Sequence, residues 1–158
     1  MIEGSYTANF WRNIDGGADT ENVFLDNTVV SVTAEGEKLY GISGSTVFLS
    51  ILKNTGDEIN GRHVGSHGGI DNMEVSKSTT KLYEAWVEQR FMDEKLSIRA
   101  GLYDLNSEFY VTESSGLFLN PTYGIGTEMA SSGENGPSIF PATSLGVRIL
   151  GQIASDYY

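Results

Sequence analysis

The chain has 158 residues, a formal net charge of −11 and no cysteine. Its length suits one domain of ordinary size, and the lack of cysteine excludes disulfides and thiolate metal sites within it. The acidic balance argues against binding to the phosphate backbone of nucleic acids, which requires a basic surface. Glycine is frequent (19 residues) and proline is rare (3 residues), a composition typical of many strands joined by tight turns.

No apolar run approaches the roughly 20 residues that a membrane helix needs. A membrane β-strand needs only about 9–11 residues with apolar side chains at every second position, so a transmembrane β-barrel remains possible. The first 13 residues contain neither the basic segment nor the apolar core of a secretory signal. We therefore expect either a cytoplasmic protein or a natural N-terminus that lies further upstream.

Three strands are predicted in the first third of the chain. They lie at 5–13, at about 23–34 and at about 45–54, and turn signals such as Asp-Gly-Gly separate them. In the first strand neither alternating set of side chains is cleanly apolar, so the face that would meet lipid is undecided. Trp11 is a candidate for an interfacial aromatic girdle. A polar loop at about 55–80 follows, which we expect to be mobile or pinned to another part of the molecule.

The clearest alternation lies at residues 81–91, with the sequence KLYEAWVEQRF. One set of side chains is mostly apolar: Tyr83, Ala85, Val87, Gln89 and Phe91. The other set carries three charges: Leu82, Glu84, Trp86, Glu88 and Arg90. Successive side chains of a strand point to opposite faces, so the pattern predicts a fourth strand with one apolar and one charged face. A helix stays an alternative, because Leu82, Ala85 and Trp86 also fall three or four residues apart.

The fifth and sixth strands, at 96–103 and 144–153, repeat this scheme. Their apolar sets are Leu96, Ile98, Ala100 and Leu102, and then Leu145, Val147, Ile149 and Ile153. Their polar sets are Ser97, Arg99, Gly101 and Tyr103, and then Gly146, Arg148 and Gln152. The segment at 106–143 between them is too long for a hairpin turn, and loops of this length are usually functional. Within it, we expect Ile139 and Phe140 to press the loop onto an apolar surface.

Alternation alone leaves two all-β folds open: a transmembrane antiparallel β-barrel and a soluble sandwich. The polar faces carry arginines and aromatic side chains, without lysine in the central parts of the strands, which favours a confined and wet lumen. One set of apolar side chains separates the two folds, since a barrel exposes it to lipid and a sandwich buries it against a second sheet. That set is Tyr83, Val87, Phe91, Ile98 and Leu102.

Four segments together resemble one known family. They are YTANFWRNIDGG, LYEAWVEQRF, LSIRAGLYDLNSEFYVTESSGLFLNPTYGIG and NGPSIFPATSLGVR. In this order they resemble the carbohydrate-selective porins (OprB-type) of Gram-negative outer membranes, over almost the whole chain. The resemblance implies an outer-membrane, transmembrane β-barrel of about sixteen antiparallel strands. It also implies passive diffusion of sugars through a lumen that an inward-folded loop narrows, with no catalysis and no cofactor.

Members of this family are several hundred residues long. We therefore expect residues 1–158 to be the N-terminal part of one porin barrel domain, with the inward-folding loop at about 106–143. About six strands cannot close a lumen of porin width, so we expect a fragment. Tyr157 and Tyr158 resemble the aromatic end of bacterial barrel proteins, but Asp156 stands where an apolar side chain is usual.

A pore for neutral sugars needs hydrogen-bond donors and acceptors for hydroxyls, and aromatic rings for the C–H faces. The predicted substrate-binding residues are Glu84, Trp86, Arg90, Arg99, Tyr103, Asp104, Asn106, Glu108 and Arg148. The same charges could instead form a ladder across strands that stiffens the barrel. The expected partners are mono- or oligosaccharides in the lumen and outer-membrane lipid. Whether the barrels form a homo-oligomer is left undecided.

Two other chemistries find little support. Residues four apart on one strand face, such as Glu84 and Glu88, lie about 13 Å apart, beyond the roughly 5–10 Å of a glycosidase acid pair. His63 and His67 lie in a glycine-rich segment that makes a poor helix, so no metal site is expected there. A soluble, secreted β-sandwich that binds carbohydrate is the alternative function.

Overall fold

The computed structural model describes residues 1–134 and 136–152, which form one antiparallel sheet. Each strand hydrogen-bonds to the next one along the chain, so the order in the sheet is the order in the sequence. The strands are β1 (Ile2–Arg12), β2 (Asn22–Glu35), β3 (Ser45–Thr55), β4 (Thr79–Phe91), β5 (Leu96–Tyr103) and β6 (Ser144–Gly151). This is an up-and-down meander built from successive hairpins.

Among the residues that the structure describes, short helical segments lie in the connections between these strands. They are α1 (Gly36–Tyr40), a π-helical turn (Ile59–Val64), three 3-10 turns (Leu105–Ser107, Glu113–Leu117 and Pro121–Tyr123) and α2 (Thr127–Ala130). Within the described residues, none of the helices combines the length and the apolar character that crossing a membrane requires.

All six predicted strands are confirmed, with ends that shift by a few residues. The segment at 81–91 lies within a strand, so the helix alternative for it is wrong. β2 has 14 residues and β4 has 13. Both lengths exceed the roughly 9–11 residues with which a β-strand crosses a bilayer.

The two ends of the sheet differ in their connections. At one end, residues 36–44 join β2 to β3 and residues 92–95 join β4 to β5. At the other end lie the connections at 13–21, 56–78 and 104–143. The connections at one end of the sheet are therefore short, and the two longest connections lie at the other end.

One face of the sheet is apolar and exposed, and we call it the outer face. On β6 it carries Leu145 (84% exposed), Val147 (70%) and Ile149 (69%). Val87 and Phe91 of β4 are also exposed. Within the described residues no second sheet covers this face, so the arrangement expected of a sandwich is not found. The opposite, inner face is the one on which the long loops fold.

The alternation of β4 breaks at Tyr83. The register with β3 pairs Glu84 with Ser50 and Leu82 with Ile51, so Tyr83 is an extra residue in a β-bulge. Leu82 therefore shares the outer face with Ile51, and both side chains are exposed. Tyr83 is 8% exposed and donates a hydrogen bond to Asp104. The predicted faces of Leu82 and Tyr83 are wrong, because strict alternation does not reveal an inserted residue.

The faces of β1 become clear from its neighbours. Trp11 pairs with Val23, which is buried under the loop at 56–78. Val23 and three other buried residues form the apolar core, namely Leu25, Ile59 and Met73, and Trp11 packs against them. Trp11 therefore lies on the inner face, and its predicted place in an outer aromatic girdle is wrong. The ambiguous alternation of β1 arises because a loop covers the inner face with apolar side chains.

Several predictions fall outside the described residues. They concern Ile153 on the apolar side of the sixth strand and the terminal residues Asp156, Tyr157 and Tyr158. Asn135, within the long segment at 106–143, lies outside them as well.

Candidate functional site

Charged side chains stand in register on the inner face of β4, β5 and β6. Glu88 of β4 is the partner of Arg99 on β5, and Arg99 is the partner of Arg148 on β6. Side chains directly opposite each other in a sheet have Cβ atoms about 4.5–5.5 Å apart. Two guanidinium groups held so close repel each other unless carboxylates lie between them. The sheet register therefore demands acidic partners at this place.

Glu88 is the first of these partners and is only 3% exposed. It accepts hydrogen bonds from Arg99 (Nη2 to Oε2, 2.8 Å), Arg148 (Nη2 to Oε2, 3.1 Å) and Arg90 (Nε to Oε1, 2.9 Å). A buried carboxylate is costly unless it is paired and hydrogen-bonded. Three guanidinium groups meet that requirement, so Glu88 is the centre of the network.

Glu108 is the second carboxylate, and it comes from the long loop after β5. It accepts hydrogen bonds from Arg148 (Nε to Oε2, 2.8 Å; Nη2 to Oε1, 2.7 Å) and pairs with Arg99 (Nη1 to Oε1, 2.8 Å). The Tyr103 hydroxyl also donates to it at 3.3 Å. The hydrogen bonds from Arg148 lower the pKa of Glu108 below its ordinary range. The loop is thereby fastened to the inner face by an ionised side chain.

Trp86 lies beside the network with both ring faces occupied. The ring of Phe48 on β3 stacks on it at a centroid distance of 4.9 Å and an angle of 17°. The guanidinium carbon of Arg99 on β5 lies 3.8 Å from the Trp86 ring centroid. Because β3 and β5 flank β4 on opposite sides, these two groups cover opposite faces of the indole. Trp86 therefore stabilises Arg99 by a cation–π contact and offers no free ring face.

Glycine at position 101 makes this packing of Trp86 feasible. Gly101 is the β5 partner of Trp86 and has a φ of +144°, in the region that L-side chains rarely adopt. A Cβ at this position would lie 2.2 Å from the Ala85 carbonyl oxygen and 2.6 Å from the Trp86 Cα. The backbone of β5 can approach β4 so closely only without a side chain.

Three predicted residues shape the base of the long loop. The Asp104 carboxylate accepts a hydrogen bond from the Asn106 backbone N–H at 2.9 Å, which caps the first 3-10 turn. The Glu84 carboxylate accepts one from the Asp104 N–H at 3.2 Å. The side-chain amide of Asn106 donates to the Phe109 carbonyl at 3.0 Å. Asp104, Asn106 and Glu84 thus hold the loop where it leaves β5.

The far end of the same loop is anchored through Phe140, one of the two residues predicted for this role. The Phe140 ring meets the Tyr83 ring edge-on, with centroids 6.2 Å apart. The Thr143 hydroxyl donates a hydrogen bond to the Tyr83 carbonyl, and the Ser138 hydroxyl donates one to the Tyr103 carbonyl. Both ends of the segment at 106–143 are therefore fixed to β4 and β5.

The loop at 56–78 is pinned to β1 through Asp71, a residue that sequence reasoning missed. Asp71 is 3% exposed, and its Oδ2 accepts hydrogen bonds from Trp11 Nε1 (2.6 Å) and Asn9 Nδ2 (2.5 Å). Its Oδ1 accepts the backbone N–H of Met73 at 2.7 Å. A buried carboxylate with three such donors fixes the loop against the inner face.

The two long loops also bond to each other across the inner face. The Asn72 N–H donates to the Leu119 carbonyl at 2.8 Å, and the Asn120 side-chain amide donates to the Gly69 carbonyl at 2.9 Å. Between these loops and the inner face of β1 and β2 lies a cavity of about 760 Å³. The segment at 106–143 thus reaches from β5 and β6 to the opposite side of the sheet.

The predicted site residues fall into two groups in the structure. The charged and aromatic network brings together Trp86, Arg90, Arg99, Tyr103, Glu108 and Arg148, whereas Glu84, Asp104 and Asn106 belong to the loop base. Glu88 was noted on the charged face but not selected as a binding residue, although it is the centre of the network. Its place opposite Arg99 was available from pairing β4 with β5 across their short turn.

Comparison with known proteins agrees with this geometry. The family model described as "Carbohydrate-selective porin, OprB family" matches residues 24–158. A solved structure of Pseudomonas putida OprB, described as its high-pH structure, is similar with a TM-score of 0.81 and 15% sequence identity. The match covers 98% of this chain and 38% of that one, so this chain spans less than half the length of that protein. No curated protein gives a significant match.

The residues of the family match include four whole strands, all but the first two residues of β2, and the whole of the charged network. The similar solved structure has the same fold over nearly the entire chain, including β1. Proteins of this family are outer-membrane channels of Gram-negative bacteria and not enzymes. By the extent of the family match, this chain belongs to the OprB family of carbohydrate-selective porins.

Proposed function

We propose that the protein forms a channel for the passive, selective diffusion of sugars across the outer membrane. The observation that carries this proposal is the opposition of the two faces of one sheet. The outer face carries exposed apolar side chains on β1, β2, β3, β4 and β6, and the inner face holds charged and amide side chains beneath long loops. Outward apolar bands and polar interiors are the pattern of membrane barrels that conduct water-soluble molecules.

The outer face would meet lipid in such a channel. Side chains such as Val30, Val87 and Val147 are exposed at alternate positions of their strands. A water-filled lumen needs about 16 strands, so the proposal concerns the protein at its full natural length. Outer-membrane lipid is then the partner of the outer face, and further barrels of the same kind are candidates for contact with it.

The loop at 106–143 would narrow the passage. Support comes from its attachment to the inner face at Glu108 and from its bonds to the loop at 56–78 through Leu119 and Asn120. A long loop held on the lumen side of the wall reduces the cross-section at that level. Its fixed position would make the width of the passage a property of the fold, which selectivity by size requires.

The charged network would act at the wall of this passage. Arg99 and Arg148 spend most of their donors on Glu88 and Glu108, so their first task is to hold the loop and the strands together. Donors left over at the exposed edge, at Arg90 above all, would bond weakly to sugar hydroxyls. Weak contacts suit a channel, because tight binding stops conduction.

The proposal is tested by channel recording. The protein at full natural length would be refolded in detergent and added to a planar lipid bilayer, with glucose or a larger oligosaccharide titrated into the salt solution. We expect stepwise conductance that sugar reduces at millimolar concentration. A folded protein that opens no channels, or channels whose current sugar never alters, would contradict the proposal.

A further inference from the structure

The cavity between the long loops and the inner face of β1 and β2 has a lining unlike that of the charged network. Its described lining residues include no aspartate, glutamate, lysine or arginine, and one histidine, His67. Amide side chains come to it from both strands and both loops: Asn9, Asn27, Asn72, Asn106 and Asn120. Its volume of about 760 Å³ falls within the roughly 300–1,000 Å³ of small-molecule sites in proteins.

Two of these amides are free to bind a ligand. Among the described residues, the side chains of Asn27 and Asn72 form no hydrogen bond, whereas those of Asn9 and Asn120 do. Asn27 lies on the inner face of β2, opposite Asn54 of β3, and Asn72 lies on the loop at 56–78. Each amide offers two donors and an acceptor without a charge, which matches a pair of neighbouring hydroxyls.

An aromatic surface completes the lining. The ring of Phe118 borders the cavity and stacks on the ring of Tyr123, with centroids 4.1 Å apart and an angle of 19°. The stacking holds Phe118 in place, and 45% of its surface is exposed. Unlike Trp86, which has both faces covered, Phe118 can receive the apolar C–H face of a sugar ring.

We infer that this cavity is a subsite for a neutral saccharide, separate from the arginine and glutamate network, with Asn27 and Asn72 as hydroxyl partners and Phe118 as the stacking surface. The inference rests on the proposed function and adds the location at which a sugar binds transiently during its passage. Uncharged groups suit this task, because an amide exchanges its hydrogen bond between sugar and water with little electrostatic cost. The charged network would then be the frame that positions the loop above the subsite.

The test uses the protein at full natural length in planar bilayers, with D-glucose and maltotriose as probes. Asn27→Leu removes one hydroxyl partner from the wall. Asn72→Ala removes one from an exposed loop position and keeps the backbone N–H that bonds to the Leu119 carbonyl. Asn22→Leu is the matched control, since Asn22 lies on the same strand as Asn27 but outside the cavity. The measured quantity is the sugar concentration that halves the channel current.

We expect each cavity variant to raise that concentration by about five- to tenfold, as the loss of one or two hydrogen bonds would do. The salt conductance without sugar and the behaviour of Asn22→Leu should stay as in the wild type. If wild-type current is blocked by sugar and both cavity variants are blocked equally well, the subsite is wrong while the channel function stands. If the wild type shows no block at all, the proposed function itself fails. Should Asn27→Leu not fold, Asn72→Ala alone decides between these outcomes.

Discussion

At the scale of single residues, a few side chains carry much of the arrangement on the inner face. Glu88 accepts from three arginines while almost completely buried. Gly101 contributes no side chain at all, yet its backbone allows Trp86 and Arg99 to stack. Both residues determine how neighbouring side chains pack, so we expect their replacement to move those neighbours as well.

Glu88→Gln should destabilise the folded protein by about 3 kcal/mol, because it removes one of the two carboxylates that the buried guanidinium groups of Arg99 and Arg148 share. The measurement is the urea midpoint of unfolding in detergent. Glu94→Gln is the control, since Glu94 also pairs with Arg90 but its side chain is 77% exposed. An exposed pair contributes at most about 1 kcal/mol. Equal midpoints for the two variants would show that Glu88 is not the centre of the network.

Gly101→Ala should cost about 2 kcal/mol or more, because the new methyl group meets the β4 backbone and the φ of +144° is strained for alanine. We expect a lower unfolding midpoint together with a changed tryptophan emission spectrum, since Trp86 must move. Gly146→Ala on β6 is the matched control, as its Cβ would meet only Tyr103 Cδ1 at 3.8 Å. A silent Gly101→Ala variant would contradict the packing described here.

At the scale of elements, the loops are what distinguish this sheet from a plain meander. The strands alternate regularly between apolar and polar side chains. The segments at 56–78 and 104–143 determine which groups of the inner face stay accessible. A loop carboxylate bonds each loop to inner-face side chains of the sheet, Asp71 in the first loop and Glu108 in the second. The loops then hold each other through the backbone N–H of Asn72 and the side-chain amide of Asn120.

The attachment of the loop at 104–143 should weaken in acid. Arg148 lowers the pKa of Glu108, so this contact stabilises the loop fully above the ordinary carboxyl range and loses its effect as the pH falls through the lowered value. We expect the protection factors of the loop amides, which correct exchange rates for their intrinsic pH dependence, to fall below about pH 4. Glu108→Gln should show low protection factors at both pH 6 and pH 3, without that step. A wild-type loop with the same protection at both values would contradict the role of Glu108.

The sequence predicts the strands well and the loops poorly, for a physical reason. Alternation of apolar and polar side chains is a local signal, and it located β4, β5 and β6 together with their inner-face arginines. The bulge at Tyr83 is invisible to it, because one extra residue leaves the composition unchanged while reversing the faces beyond it. The role of Asp71 depends on a contact with β1 some 60 residues away, for which no local pattern exists.

The site shows the same division. Glu108 was selected from its position at the loop base, and the structure joins it to Arg99 and Arg148. Trp86 was expected to face a sugar, but its ring faces are taken by Phe48 and Arg99. Strand register and side-chain packing decide which polar groups and ring faces remain available to a ligand. Both depend on the whole sheet and not on a local pattern.

At the scale of the whole molecule, the two faces of the sheet should respond differently to the same charge. Val30→Arg places a guanidinium on the exposed outer face of β2, and Ser31→Arg places one on the inner face at the next position. An arginine on the lipid side of a barrel costs about 2–4 kcal/mol at mid-membrane depth.

In the protein at full natural length, we therefore expect Val30→Arg to lower the folded fraction in lipid vesicles, measured by resistance to trypsin. Ser31→Arg should fold nearly as well as the wild type, since water and polar groups surround the inner face. The reverse ranking would mean that the faces have been assigned the wrong way round.

The unequal lengths of the connections at the two ends of the sheet would also favour one direction of insertion into a bilayer. The connections at 36–44 and 92–95 are brief, whereas the one at 104–143 carries dozens of peptide groups that would each have to shed water to pass through hydrocarbon. Hairpins entering a bilayer would thus lead with the brief connections and leave the bulky ones behind. If the protein at full natural length spans the membrane as proposed and is added to closed vesicles, we expect the loops to remain on the side of addition and the inserted copies to share one orientation.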